Sequence, residues 1–140
     1  RDVIGGFAGP TSGLPLKFSN LEDILDKSIS GFAVGSEVSM ADFAIFYIVD
    51  ILTQRMLEVE SGPAAVELLF GSKPALAKHQ KMMATRPNMS KYRSSAQWKL
   101  YGPYLSGKGV MGERTHELEL GDTELEGIEI LASKLVACLT

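Results

Sequence analysis

Val38-Ser39-Met40-Ala41-Asp42-Phe43 is the stretch whose reading decides the fold, because two helix-start signals overlap in six residues and lead into the most apolar part of the chain. Ser39 suits an N-cap, its hydroxyl placed to meet the backbone N–H of Asp42, while the Asp42 carboxylate can reach back to the N–H of Ser39. Val38 at N′ and Phe43 at N4 are spaced to close over that box as a hydrophobic staple. Both devices together suit a helix whose first turn is buried, since its orphan N–H groups then have no water to turn to. Phe43 to Val49 follows as seven uncharged residues between Asp42 and Asp50. An apolar surface all round a helix predicts a core position or a membrane span, and seven residues fall far short of the ~20 a span requires. A central core helix running to about Glu58 is therefore expected.

The flanks carry further helices. Leu21, Ile24, Leu25 and Ile29 recur at helical spacing with Glu22, Asp23, Asp26 and Lys27 between them, which predicts one buried and one solvated face, stopped by Gly31. Ser61-Gly62-Pro63 breaks the central helix. Gly71-Ser72-Lys73-Pro74 then offers an N-cap and an early proline for a helix turning Leu76, Met83 and Ala84 inward, and Pro87 opens a short helix with Met89 and Tyr92. Near the end, Thr123-Glu124-Leu125-Glu126 reads as a second capping box, starting an amphipathic helix with Leu125, Ile128, Leu131, Ala132, Leu135 and Leu139 on one stripe. That stripe must be covered, either by folding back on its own domain, the favoured arrangement, or by a partner chain. No segment alternates with period two, so the class is all-α.

With this order of elements, Gly31 to Phe43 resembles the segment of glutathione transferases in which an apolar turn and a Gly precede a Ser/Thr-x-Ala-Asp box. In that family the box opens the central helix of the C-terminal helical domain. Leu14 to Leu25 is similar to the preceding helix, and Pro74 to His79 with Ala84 to Tyr92 is similar to the next two, joined at Arg86-Pro87. The spacing is closest to the mu, pi and sigma classes, and the likeness covers residues 14–100. It implies a transferase C-terminal-like helical bundle around a buried central helix at 16–110. A flexible segment precedes it at 1–15, and an acidic linker with the extra C-terminal helix follows at 111–140.

The resemblance also implies what is missing. In the family a thioredoxin-like domain holds most of the glutathione site, and Arg1 to Pro15, interrupted by four glycines and Pro10, has no strand pattern to supply it. Glutathione is thus expected as co-substrate only if that domain is provided, and the chain alone is expected to be inactive. The stretch after the third matched helix contributes to the electrophile pocket in the mu and pi classes, so Tyr101, Tyr104 and Leu105 are the candidate substrate-binding residues, half-polar aromatic rings suiting such a cleft; the alternative is that these side chains pack the tail onto the core. Trp98, three residues before Tyr101, is expected in the core. The competing function is a non-catalytic transferase-like module of a larger assembly, as such domains serve in translation factor complexes and lens crystallins.

Composition narrows the remaining classes. A 140-residue chain with 45% hydrophobic residues is of ordinary size and composition for one core. A net charge of −3 with dispersed Lys and Arg gives no footprint for nucleic acid. Two histidines and one cysteine provide no pair at metal-ligand spacing, so no metal site is expected. His79, beside Lys78 and Lys81, is expected on an exposed helix face. Asp42 and Asp50 are read as structural rather than as an acid/base pair, and Gly5 to Gly9 lacks the strand and the Gly-Lys-Ser/Thr of a phosphate loop. Cys138 cannot form an internal disulfide, which points to the cytoplasm or another reducing compartment, with organelle targeting left open because Arg1 is not an initiator Met. No transmembrane segment is expected; a protein partner or homodimer remains open.

Overall fold

The computed structural model describes residues 13–95 and 122–140, and among these every regular element is helical. The helices are α1 (Leu14–Asp26), α2 (Met40–Met56), α3 (Gly62–Ser72), α4 (Pro74–Ala84), α5 (Pro87–Ser94) and α6 (Asp122–Leu139). Their order matches the all-α reading, with one helix more than the sequence pattern announced. That helix is α3. α2 ends at Met56, ahead of Ser61-Gly62-Pro63, and Pro63 sits in the first turn of α3, where its fixed φ and missing N–H are tolerated.

One core joins five of the six helices. Phe18 and Leu25 of α1, Val49 and Met56 of α2, Ala65 and Leu69 of α3, Leu76 of α4, and Ala132 and Leu135 of α6 form a single buried cluster. α6 lies along α3 and touches α2, α1 lies along α4, and α5 attaches through α4. The stripe read for α6 is the face that docks: Ala132 and Leu135 are buried, and Leu125, Ile128, Leu131 and Leu139 are half-buried. α6 therefore folds back onto its own chain. It begins at Asp122, one residue before the N-cap expected at Thr123.

Two carboxylates bind this packing to the helix starts. Glu22 of α1, expected on a solvated face, is half-buried and accepts the N–H groups of Ala75 and Leu76 at 2.9 and 2.8 Å, capping α4 from another helix. Glu129 of α6 does the same for α3, accepting the Ser61 N–H at 3.1 Å and the Ser61 hydroxyl. Each satisfies donors that a helix N-terminus leaves orphaned, and each places negative charge where the helix dipole favours it. The Ser61 hydroxyl and N–H hold the Glu129 carboxyl below the usual range.

Two expectations need correction. α1 ends at Asp26, well before Gly31, because Lys27 already caps it; Ile29 consequently lies outside the helix and is fully exposed rather than on the buried face. The expectation that α2 is buried all round holds for one face only. Asp42, Phe46, Val49, Thr53 and Met56 are buried, whereas Met40, Phe43, Tyr47 and Ile48 are exposed.

The α2–α3 turn is closed tightly at Gly62. A Cβ on Gly62 would stand 1.5 Å from the Met56 carbonyl oxygen, which is backbone and cannot swing aside. Gly62→Ala should therefore lose about 3 kcal/mol of stability. Gly71, late in α3, has open space where its Cβ would go, so Gly71→Ala should gain about 0.5 to 1 kcal/mol from helix propensity. Urea titration of both variants reads the contrast, and equal midpoints would refute the tight-turn argument. Deleting Asp122 to Thr140 uncovers Ala65 and Leu69 and should yield a destabilised, poorly soluble chain in thermal melting and light scattering.

Candidate functional site

The Asp42 side chain meets four hydrogen-bonding groups. Ser39, in extended conformation, is the N-cap of α2 and forms the expected capping box with Asp42. Asp42 Oδ2 accepts the Ser39 N–H and the Ser39 hydroxyl, each at 2.8 Å. Oδ1 accepts the Ala33 N–H at 2.8 Å and meets His79 Nε2 at 3.0 Å. Gly31, at a φ of 80°, turns the preceding loop by a conformation that side chains disfavour, and two residues on Ala33 delivers its N–H. One carboxylate thus joins a loop, the start of α2 and the middle of α4.

His79 contradicts its sequence reading. It is 1% exposed, not solvated, and its neighbours Lys78 and Lys81 point outward from α4. The signal that could have found it is its spacing: His79 lies three residues after Leu76 and four before Met83, on the stripe those two bury. Burial acts to raise the Asp42 carboxyl, but the N–H groups of Ala33 and Ser39, the Ser39 hydroxyl and His79 outweigh it and hold the group at about 2. An ionised carboxylate only accepts, so Nε2 carries the hydrogen of the shared bond. Nδ1 is buried and has no partner among the described residues.

A cavity of about 270 Å³ adjoins this pair, with Leu25, Asp26, Ser28, Lys78 and Met82 among its walls. General acid/base work would need a histidine nitrogen within reach of substrate. Nε2 is committed to Asp42 and Nδ1 is enclosed, so the pair braces the fold. Asp50 is structural too: Arg93 of α5 approaches it at 3.3 Å and stacks over Phe46 at 5.8 Å, and Gln54 donates to it at 2.9 Å. Burial pushes the Asp50 carboxyl up, against the pull of the Arg93 guanidinium.

The surface that remains is the outer face of α2. Met40, Phe43, Tyr47 and Ile48 recur at helical spacing, with Met40 81% and Ile48 55% exposed. Phe43, expected to close a staple with Val38, is itself exposed, and Val38 is half-buried. Exposed apolar stripes of this kind mark contact surfaces. Tyr101, Tyr104, Leu105 and Trp98 lie outside the described residues. Among the described residues no three His, Cys, Asp or Glu side chains group as metal ligands, and no helix is long and apolar enough to cross a membrane.

The family model described as glutathione S-transferase, C-terminal domain, matches residues 11–96, which span α1 to α5 and include the Ser39–Asp42 box. The chain belongs to that family. No curated protein and no solved structure matches it.

Ser39→Ala should cost about 1 to 2 kcal/mol as a lost cap. Asp42→Ala should cost more, about 3 kcal/mol, because it also strands the Ala33 N–H and His79. The double variant should lose clearly less than the sum, since both changes break one network. The Asp42 carboxyl is depressed in the folded chain, so its contribution is complete above about pH 4 and is lost as pH falls toward about 2. Asp42→Asn should flatten that part of the stability profile, as read by acid titration of the melting midpoint.

Proposed function

We propose that this chain is the helical half of a glutathione transferase-like protein, closest to the mu, pi and sigma classes, which shapes the electrophile site and subunit contacts. Glutathione activation falls to a thioredoxin-like domain that these 140 residues do not contain. The carrying observation is that the family match covers the helical domain while the outer stripe of α2, Met40, Phe43, Tyr47 and Ile48, stands exposed inside the matched region. An exposed apolar stripe on a rigid central helix suits a wall for an apolar substrate or a neighbouring domain. Tyr101, Tyr104 and Leu105 would extend that wall. Their rings offer an apolar body with a polar tip, which can hold an aromatic electrophile while binding its substituents.

The helical half contributes positioning and enclosure. It needs no titratable group of its own for that, which agrees with the enclosure of the Asp42–His79 pair. The same stripe also supports the competing reading, a non-catalytic module that uses the face for assembly.

The 140-residue chain should neither bind immobilised glutathione nor accelerate conjugation of a generic aromatic electrophile above background. Fusing the thioredoxin-like domain of a mu, pi or sigma transferase ahead of Arg1 should restore conjugation, and Tyr101→Ala or Tyr104→Ala in that fusion should raise KM for the electrophile several-fold. Turnover by the isolated chain that disappears with either tyrosine would overturn the division of labour. A folded fusion that binds glutathione yet stays inactive would favour the assembly module.

A further inference from the structure

The groove between the α2–α3 turn and the N-terminal half of α6 has a composition unlike the rest of the described surface. It is a shallow, open depression lined by Val59, Glu60, Leu125, Glu126, Glu129 and Ile130. Three of these are apolar and three are carboxylates, and no lysine, arginine or histidine is among them. Ile130 is 47% exposed on the groove wall, and Leu57, two residues before Val59, is exposed as well. Glu60 and Glu126 are exposed at the rim. Glu129 is fixed by the Ser61 N–H and hydroxyl and by the Ser133 hydroxyl at 3.2 Å, and those donors hold its carboxyl below the usual range.

Three carboxylates with no cation among the lining residues make the groove negative, and the apolar side chains beside them strengthen its attraction for a cation brought from outside. A single metal ion does not fit the arrangement, because no three such ligands among the described residues stand close enough to share one. The positive charge must therefore be spread over several side chains, and the floor asks for an aliphatic group between them. An anionic lipid surface or a nucleic acid would be repelled.

We propose that this groove docks a short basic segment of a protein partner, in which lysine or arginine side chains flank an aliphatic residue. The flanking cations meet Glu60 and Glu126, and the aliphatic side chain covers Val59, Leu125 and Ile130. A second copy of the chain is a poorer occupant. Its exposed lysines among the described residues, Lys17, Lys27, Lys78, Lys81, Lys91 and Lys134, are spread over α1, the loop after it, α4, α5 and α6, and no two of them flank an aliphatic side chain. A groove of this size suits a weak, transient contact with strong salt dependence. The inference does not depend on the transferase reading.

The test uses the intact chain and three fluorescent pentapeptides, Lys-Leu-Lys-Leu-Lys, Lys-Gly-Lys-Gly-Lys and Glu-Leu-Glu-Leu-Glu, followed by anisotropy at low and physiological salt. The first should bind about tenfold more tightly than the second, and the third should not bind. Glu60→Gln with Glu126→Gln, and separately Ile130→Ser, should each weaken the first peptide about tenfold while leaving the melting midpoint unchanged, since all three side chains are exposed. Equal binding of the leucine and glycine peptides would overturn the proposal, as would affinity unaffected by either set of substitutions. Absence of binding to the intact chain would do the same. So would concentration-dependent self-association that the same substitutions abolish, which would assign the groove to a second copy.

Discussion

Everything in this domain hangs on how buried helix starts obtain acceptors for their N–H groups. Four donors at each N-terminus have no partner within the helix, and burial removes the water that would otherwise serve. Asp42 resolves this locally for α2. Its box with Ser39 is built from residues three apart, yet the same carboxylate also takes the Ala33 N–H and His79 Nε2. The start of α2 is thereby tied to the loop before it and to α4 beside it. Without an ionised group at this point the loop 27–39 would lose its anchor, and the imidazole would be buried with neither nitrogen partnered.

The starts of α3 and α4 are served at a distance. Glu22 reaches from α1 to α4, and Glu129 from α6 to α3. Because these caps come from the same helices that supply Phe18, Leu25, Ala132 and Leu135 to the core, apolar burial and polar satisfaction stand or fall together. The pairing of α1 with α4 and of α3 with α6 is thus specified twice, once by non-directional packing and once by directional bonds. The directional bonds fix the register that apolar contact alone would leave loose.

Local signals in the sequence were sufficient for the helices that announce themselves locally. Ser39 and Asp42 mark the start of α2, Pro74 and Pro87 those of α4 and α5, and the spacing of Ala132 and Leu135 the docking face of α6. The failures share a cause: the deciding partner is remote. Glu22 looks like one more solvated acid until α4 is beside it, and His79 like a surface residue among lysines until Asp42 is placed 37 positions earlier in the chain. α3 escaped notice because its apolar face is nearly continuous, Ala65, Val66, Leu68, Leu69 and Phe70, and so gives little periodicity. The exposed stripe of α2 was misread for the converse reason, since an apolar run states that burial is favourable without saying what does the burying. The candidate site residues Tyr101, Tyr104 and Leu105 rest on resemblance to the family, whereas the acidic groove depends on juxtaposing residues 59–60 with 125–130, which no local pattern encodes.

The Glu129 cap sets an order of events during synthesis. α3 leaves the ribosome some fifty residues before α6, so for that interval its first turn has neither the carboxylate that accepts from Ser61 nor the apolar cover of Ala132 and Leu135. An 11-residue helix in that condition is marginal. The nascent chain can assemble α1, α2 and α4 around the Asp42 knot while α3 remains frayed, and α6, translated later, then acts as the clasp that closes the domain.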